Sequence, residues 1–452
     1  MPQYLIRKAQ AVFGYSSTQD IRFKNGVITD IGESLTVHAD DVQIDASNCV
    51  LYPGFINTHH HLAQSILKGI PAGLNQGLGE WLVSVPYRFW PHITPDLMYV
   101  AAKLGLYEQL RSGVTTCADH HYLYHSTTSP ELEDAVWRAA DDLGIKLVLC
   151  RGGATTQGSH KGMQGSKIVP ETLSLSLDRL DASYKHYHDD SPFSMRRLVV
   201  APTSLIHTSP AEDLKVYAQW AKDRQLKRHS HLLEVSFDEE MAQQRFGMGA
   251  IDYAAHCDWL GEDVWFAHLV KADHNAIKLL AQTKTRIAHC PTSNCRLGSG
   301  VAPAIAMEKT GIPITVGVDG SASSESASML QELNLAWLLH RSQGGPEATN
   351  VNQIIHWGTS NGADLLGLIT GRIEVGYAAD LVLYSLDAPR FAGVHSPLEA
   401  PILCGEPALI KHSFINGKQV VENGNVLGVD GDELVQEVRS AVLTLLEREA
   451  SF

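Results

Sequence analysis

The sequence predicts an α/β protein, a (β/α)8 TIM-type barrel with a small β domain built from both termini. Three observations carry this prediction. Eight short apolar segments alternate with helical patterns through the middle of the chain. Both ends read instead as short strands joined by tight turns. Histidines and acids gather at the C-terminal ends of the apolar segments, on the rim where a barrel keeps its chemistry.

Residues 1–50 hold YLIRKAQAVFG, IRFKNGVITDIG and VQIDASNCVL, with Lys24-Asn25-Gly26 as a hairpin signal. The candidate barrel strands are 52–57, 114–118, 146–150, 197–201, 226–231, 264–268, 285–289 and 314–318. Helical patterns fill most of the gaps. In 96–111, Leu97, Val100, Ala101 and Leu104 share a face; 131–143, 211–224 and 275–282 behave alike. Beyond the barrel, 379–387 and 412–424 again read as strands, with Asn416-Gly417 as a second hairpin turn. Residues 432–449 have helical spacing in Leu434, Val435, Val438, Val442, Leu445 and Leu446. The expected division is a metal-dependent barrel over 51–368, with 1–50 and 369–452 forming the β domain and a C-terminal helix. An open doubly wound sheet would show the same alternation. No Gly-x-Gly-x-x-Gly or phosphate-loop motif follows a strand, so the usual reason for such a sheet is missing.

The chain has 452 residues, a formal net charge of −14 and no block of like charges. That balance argues against a nucleic-acid groove and for a soluble protein that handles small molecules. Its seven cysteines, Cys49, Cys117, Cys150, Cys257, Cys290, Cys295 and Cys404, form no Cys-x-x-Cys pair. They fit reduced thiols in a cytoplasmic protein. The first residues lack a signal-peptide core, and no apolar run reaches the ~18 residues of a membrane span. The partner expected is a small molecule, with no nucleic acid and no membrane; a homo-oligomer is the common habit of such barrels.

The stretch YPGFINTHHHLAQS puts His59 and His61 on one face of a strand and His60 on the other. Two imidazoles about 6–7 Å apart by strand rise can close on one metal ion. RHSHLLE ends strand five with His229, His231 and Glu234; WFAHLVK ends strand six with His268. RIAHCPTSNCRLGSG ends strand seven with His289, and ITVGVDGSASS ends strand eight with Asp319. One histidine at a strand end is an ordinary core residue, but convergence of several ends is not. His59, His61, one strand-five histidine and Asp319 supply four protein ligands and leave a position for water. His229 and His231 share a face, so spacing does not separate them. Glu234, three residues past His231, sits in the turn leaving the strand and can lean over the metal. No lysine ends strand four in RRLVVAPTSLIH, so a bridging carbamylated lysine has no source and a single ion is expected. That ion is one Zn2+, with Fe2+ acceptable to the same nitrogen and oxygen donors. His207, six residues beyond strand four, reads as a loop residue. Three residues are candidates for substrate contact. Gln64 suits the amide edge of a flat ring, Trp81 a ring face, and Arg151 an oxo group or carboxylate. Each also has a plain reading: surface, packing and ion pair.

PGFINTHHHL, HSHLLE, AHLV, AHCPTSNCRLGSG and VGVDGSASS resemble the motifs of the amidohydrolase superfamily, in its single-metal branch that deaminates heterocycles. GRIEVGYAADLVLY resembles the approach to that family's second β segment. NTHHHLAQSILKGIPAGL, RGGATTQ, DVWFAHLVKAD and IIHWGTSNGADLLGL are most similar to branch members acting on isoxanthopterin, then to those acting on oxidised guanine. The resemblance implies His59, His61, His231 and Asp319 as metal ligands, and so selects His231. It implies Glu234, His268 and Asp319 as catalytic groups. The implied reaction is hydrolytic deamination of a 2-amino-4-oxo pterin-type ring, isoxanthopterin or pterin-6-carboxylate. An oxidised or guanine-like purine, a triazine, or an inactive metal-binding barrel are the alternatives. His289 matches a family position with no implied role. Thr292-Ser293-Asn294-Cys295 stands where related sequences often carry Gln-Ser-Asn-Gly.

Overall fold

The structure is a computed structural model that describes residues 2–158 and 168–451. Eight parallel strands hydrogen-bond in chain order: Phe55–His61, Val114–His121, Lys146–Arg151, Arg196–Val200, Arg228–Leu232, Val264–His268, Arg286–His289 and Ile314–Val316. The eighth resumes as Asp319–Gly320 and pairs with His60 and His61 of the first. The sheet therefore closes on itself, which excludes the open alternative and leaves no edge. Thr58 helps the seam, donating from Oγ1 to the Val316 carbonyl at 3.0 Å.

Two strands break where the pattern alone shows continuity. The run expected to start barrel strand one at residue 52 is split. Cys49–Pro53 pairs antiparallel with Leu381–Ser385 in another sheet, and the barrel strand begins at Phe55. Gly54 is the crossing point: a Cβ there would lie 2.2 Å from Thr115, so only glycine lets the backbones pass. Strand eight breaks at Gly317, where a Cβ would meet that of His59 at 2.6 Å. Two residues on, Asp319 takes φ 62°, a left-handed conformation that costs a non-glycine residue about 1–2 kcal/mol.

The expected helices form as Pro95–Ser112, Glu131–Leu143, Ala211–Asp223, His274–Thr283 and Gly431–Ala450. Thr94, Asp273 and Asp430 cap three of them by accepting from backbone N–H groups of the first turn. Gly113 ends the first in a left-handed conformation, φ 97°. The chain ends supply two further sheets. One contains Gln3–Arg7, Asp20–Lys24, Val27–Gly32 and Asp41–Asp45; the other joins Ala11–Val12 and Cys49–Pro53 to Leu381–Ser385, Leu409–Ile415, Lys418–Glu422 and Asn425–Val426. Ile6, Ile21, Phe23, Ile28, Leu381 and Phe414 form a separate core for them. Among the described residues, no helix is long and apolar enough to cross a membrane.

Candidate functional site

The first, fifth and eighth strands end around one point. His59 Nε2 stands 3.4 Å and His61 Nε2 3.2 Å from Asp319 Oδ1, and His231 Nε2 is 3.3 Å from His61 Nε2. One ligand atom from each of His59, His61 and His231 lies within 4.8 Å of the others, and the same holds for His59, His268 and Asp319. His60, on the opposite face, points outward toward Gly105 of the helix Pro95–Ser112. Period-two alternation thus sorts the three adjacent histidines.

Hydrogen bonds behind the rings decide where their protons sit. His61 Nδ1 is 2.8 Å from the His120 carbonyl, and His231 Nδ1 is 2.7 Å from that of Thr203. A carbonyl only accepts, so each Nδ1 carries the proton and each Nε2 keeps a lone pair. For His59 the anchoring carbonyl lies one residue further back. His229 Nδ1 donates to the Trp265 carbonyl at 2.9 Å, so His229 Nε2 must accept, and its partner at 2.8 Å is His59 Nδ1. His59 Nε2 is left buried with no partner. Three lone pairs and one carboxylate oxygen converge, the donor set a divalent ion such as zinc takes, with its rings turned by outer hydrogen bonds. His229 and His231, which spacing left equivalent, face differently: His231 reaches the cluster and His229 backs His59.

Charges agree with that geometry. Burial, with the neighbouring imidazoles, holds His59 and His231 well below the ordinary histidine range. Burial opposes charge on Asp319 too, yet the close approach of His59 and His61, with His268 beyond, keeps it well below the carboxylate range. His61 is the exception: burial disfavours its cation, but the Asp319 pairing raises it above the ordinary value. An anion thus sits among imidazoles of which burial disfavours the charged form, an arrangement shaped for a cation.

Glu234 and His268 stand beside it. His268 Nε2 is 3.4 Å from Glu234 Oε2 and 3.9 Å from Asp319 Oδ2. Burial first, then the charges of Asp319 and Asp238, push the Glu234 carboxyl well above its usual range, which favours its protonated form. Ser299 donates to its Oε1 at 3.3 Å. Asp238 accepts from the Glu234 backbone N–H at 3.2 Å and pairs with His207 Nε2 at 2.9 Å.

A cavity opens above these groups. Trp81, Leu82, Pro86, Tyr87 and Leu297 make its apolar wall, and Thr203, Ser204, His207 and Thr208 a polar one. Gln64 and Trp81 line it, and the Gln64 Oε1 atom is buried without a hydrogen-bond partner. Tyr122 also lines it, its hydroxyl beside the Gln64 side chain. Arg151 does not reach the cavity, which corrects the sequence expectation. Its guanidinium grips Glu171 with two bonds of 2.7 Å, donates to Ser176, and lies 3.8 Å from the Tyr124 ring centroid. A buried cation needs a buried anion, and Glu171 supplies it. His207, read as a loop residue, lines the cavity, whereas His289 meets His340 at 3.1 Å.

Sequence reasoning passed over four contributors: His229 as a support, Asp238, Tyr122, and Asn294, whose Nδ2 is 3.0 Å from His268 Nδ1. Only Tyr122 left a usable trace, in the polar strand-two ending ADHHY.

Comparison with known proteins supplies the class. The amidohydrolase family profile matches residues 50–420. The chain is 39% identical to an isoxanthopterin deaminase from an unknown prokaryotic organism, with 98% of each chain covered. It is 35% identical to the 8-oxoguanine deaminase of Pseudomonas aeruginosa, over 89% of each. An amidohydrolase from an environmental sample of the Sargasso Sea superposes with a TM-score of 0.83 at 36% identity, covering 99% of both chains. The zinc complex of atrazine chlorohydrolase TrzN from Arthrobacter aurescens does so with a TM-score of 0.90 at 27% identity, covering 97% of this chain and 100% of that one. The chain belongs to the amidohydrolase family. The deaminases among its relatives place it with the hydrolytic deaminases of that family.

Proposed function

We propose that this enzyme hydrolyses the amino group from a 2-amino-4-oxo pterin-type ring, with isoxanthopterin as substrate. The observation that carries the chemistry is a buried Glu234 carboxyl beside His268 and the Asp319 carboxylate, under one cavity. The ring preference is supported by the 39% identical isoxanthopterin deaminase and by the cavity's Trp81 wall. Pterin-6-carboxylate, whose recognition would reward a cation, loses its candidate: Arg151 is engaged elsewhere, and the described lining holds no Lys or Arg.

His59, His61, His231 and Asp319 would hold the metal, for which zinc fits the donors and Fe2+ is the competitor. When bound, the ion supplies Lewis-acid activation of the attacking water. Asp319, kept as an anion, accepts a proton from that water. Glu234 gives its own proton to the ring nitrogen beside the amino-bearing carbon. His268 steadies the oxygen on which charge develops at that carbon. Proton return to the amine then releases ammonia and leaves a carbonyl. Gln64 and Tyr122, which line the cavity, would meet the polar edge of the ring, and Trp81 would cover a face.

Ammonia release measured across isoxanthopterin, 8-oxoguanine and aminotriazines should give isoxanthopterin the highest kcat/KM; a preference for 8-oxoguanine overturns the pterin assignment. Glu234→Gln should retain bound metal and lose at least ~10²-fold in kcat, and near-normal turnover would remove Glu234 from the reaction.

A further inference from the structure

His268 belongs by distance to the same cluster as His59 and Asp319, yet its hydrogen bonding is the reverse of the ligand histidines. The reason lies in the segment after strand seven. Pro291–Arg296 forms a short helix whose Thr292 N–H donates to the buried Glu332 carboxylate at 3.1 Å. The Ser299 N–H closes back on the Asn294 carbonyl at 2.9 Å. The segment holds the Asn294 side chain, 1% exposed, against His268, with Nδ2 3.0 Å from Nδ1. An amide nitrogen offers only N–H groups, so it donates and His268 Nδ1 accepts. The proton of the neutral ring then has only Nε2 to occupy, the atom facing Glu234 and Asp319. His268 also sits at φ 75°, a strained conformation for a non-glycine residue.

We infer that Asn294 is a positioning residue that fixes His268 as the Nε2–H tautomer. It thereby keeps His268 out of the metal's ligand set and turns an N–H toward the substrate. Three carbonyl-anchored histidines present lone pairs to the ion, directly or through His229; one amide-anchored histidine presents a proton. The use of that proton in turnover rests on the deamination proposed above, whereas the tautomer itself does not.

The test is long-range 1H–15N spectroscopy of the full chain labelled with 15N-histidine, zinc-loaded, with His268→Gln identifying the His268 signals. The expected result is an unprotonated Nδ1 and a protonated Nε2. Asn294→Asp is isosteric but can only accept, so it should place a proton on Nδ1; Asn294→Ala should leave the ring without a fixed tautomer. With isoxanthopterin, Asn294→Asp should lower kcat by about 10²-fold while KM changes less than about threefold. A protonated Nδ1 in the unsubstituted enzyme overturns the inference, as do identical His268 spectra in the Asp and Ala variants. If the tautomer is as stated but no ring is deaminated, the inference stands and the proposed reaction falls. If isoxanthopterin is deaminated by an enzyme whose His268 carries its proton on Nδ1, the reverse holds.

Discussion

Two buried polar clusters sit at the C-terminal ends of barrel strands, and they are built on opposite plans. At the end of strand three, Arg151 is closed off by Glu171, Ser176 and Tyr124, and Arg179 shares the same carboxylate. At the ends of strands one, five and eight, histidine nitrogens and a carboxylate face each other with too few protons between them, and His59 Nε2 has no partner. In the first cluster the chain itself supplies the anion that meets the buried cation, although Arg151 Nε is left without a hydrogen bond; in the second, acceptors crowd together and, among the described residues, no cation of the chain answers them. Burial and charge alone do not mark a functional group. The balance of donors against acceptors does.

The sharpest way to break this contrast is His59→Ala. Zinc content should fall from about one ion per chain to near zero, with activity lost in parallel, and a variant that keeps its zinc would dissolve the distinction. Next in size, Arg151→Met should lower unfolding stability by about 3 kcal/mol, since Glu171 loses its bidentate partner. The folded fraction should keep its zinc and its KM for isoxanthopterin; a large rise in KM would return Arg151 to the substrate. His229→Ala tests the backing of the open cluster, with metal affinity expected to drop about 10–100-fold in a chelator competition while the fold persists. The smallest effect concerns Glu332, whose carboxyl burial pushes up to about 8. The unfolded chain gives up this proton first as pH rises. Stability is therefore full below the ordinary carboxylate range and declines until pH passes about 8. Glu332→Gln should gain on the parent in Tm between about pH 5 and about pH 8, and parallel curves would show that the side chain does not carry the slope.

Much of the barrel is legible in the sequence because parallel strands are buried on both faces and read as short apolar runs. Their breaks are not. Gly54 and Gly317 interrupt strands because a second backbone passes within reach, and that neighbour comes from a distant part of the chain. In the site, alternation separates His60 from His59 and His61. The same period leaves His229 and His231 on one face, and only contact with strands one and six tells them apart. For Arg151 the sequence leaves substrate contact and an ion pair both open, because no spacing rule connects it to Glu171, twenty positions on. The His120 and Thr203 carbonyls that orient two ligands leave no trace at all, since every residue has a carbonyl.

One feature of the seam reaches beyond the native state. Thr58 and Val316 are 258 positions apart, and the two-residue strand carrying Asp319 docks beside His60 and His61 at that same junction. Contacts of such separation bear the heaviest loop-closure entropy and tend to form late in folding. The carboxylate thus reaches the histidines only when the cylinder shuts. A half-made chain, on the ribosome or transiently unzipped, has no finished reactive centre with which to attack its surroundings.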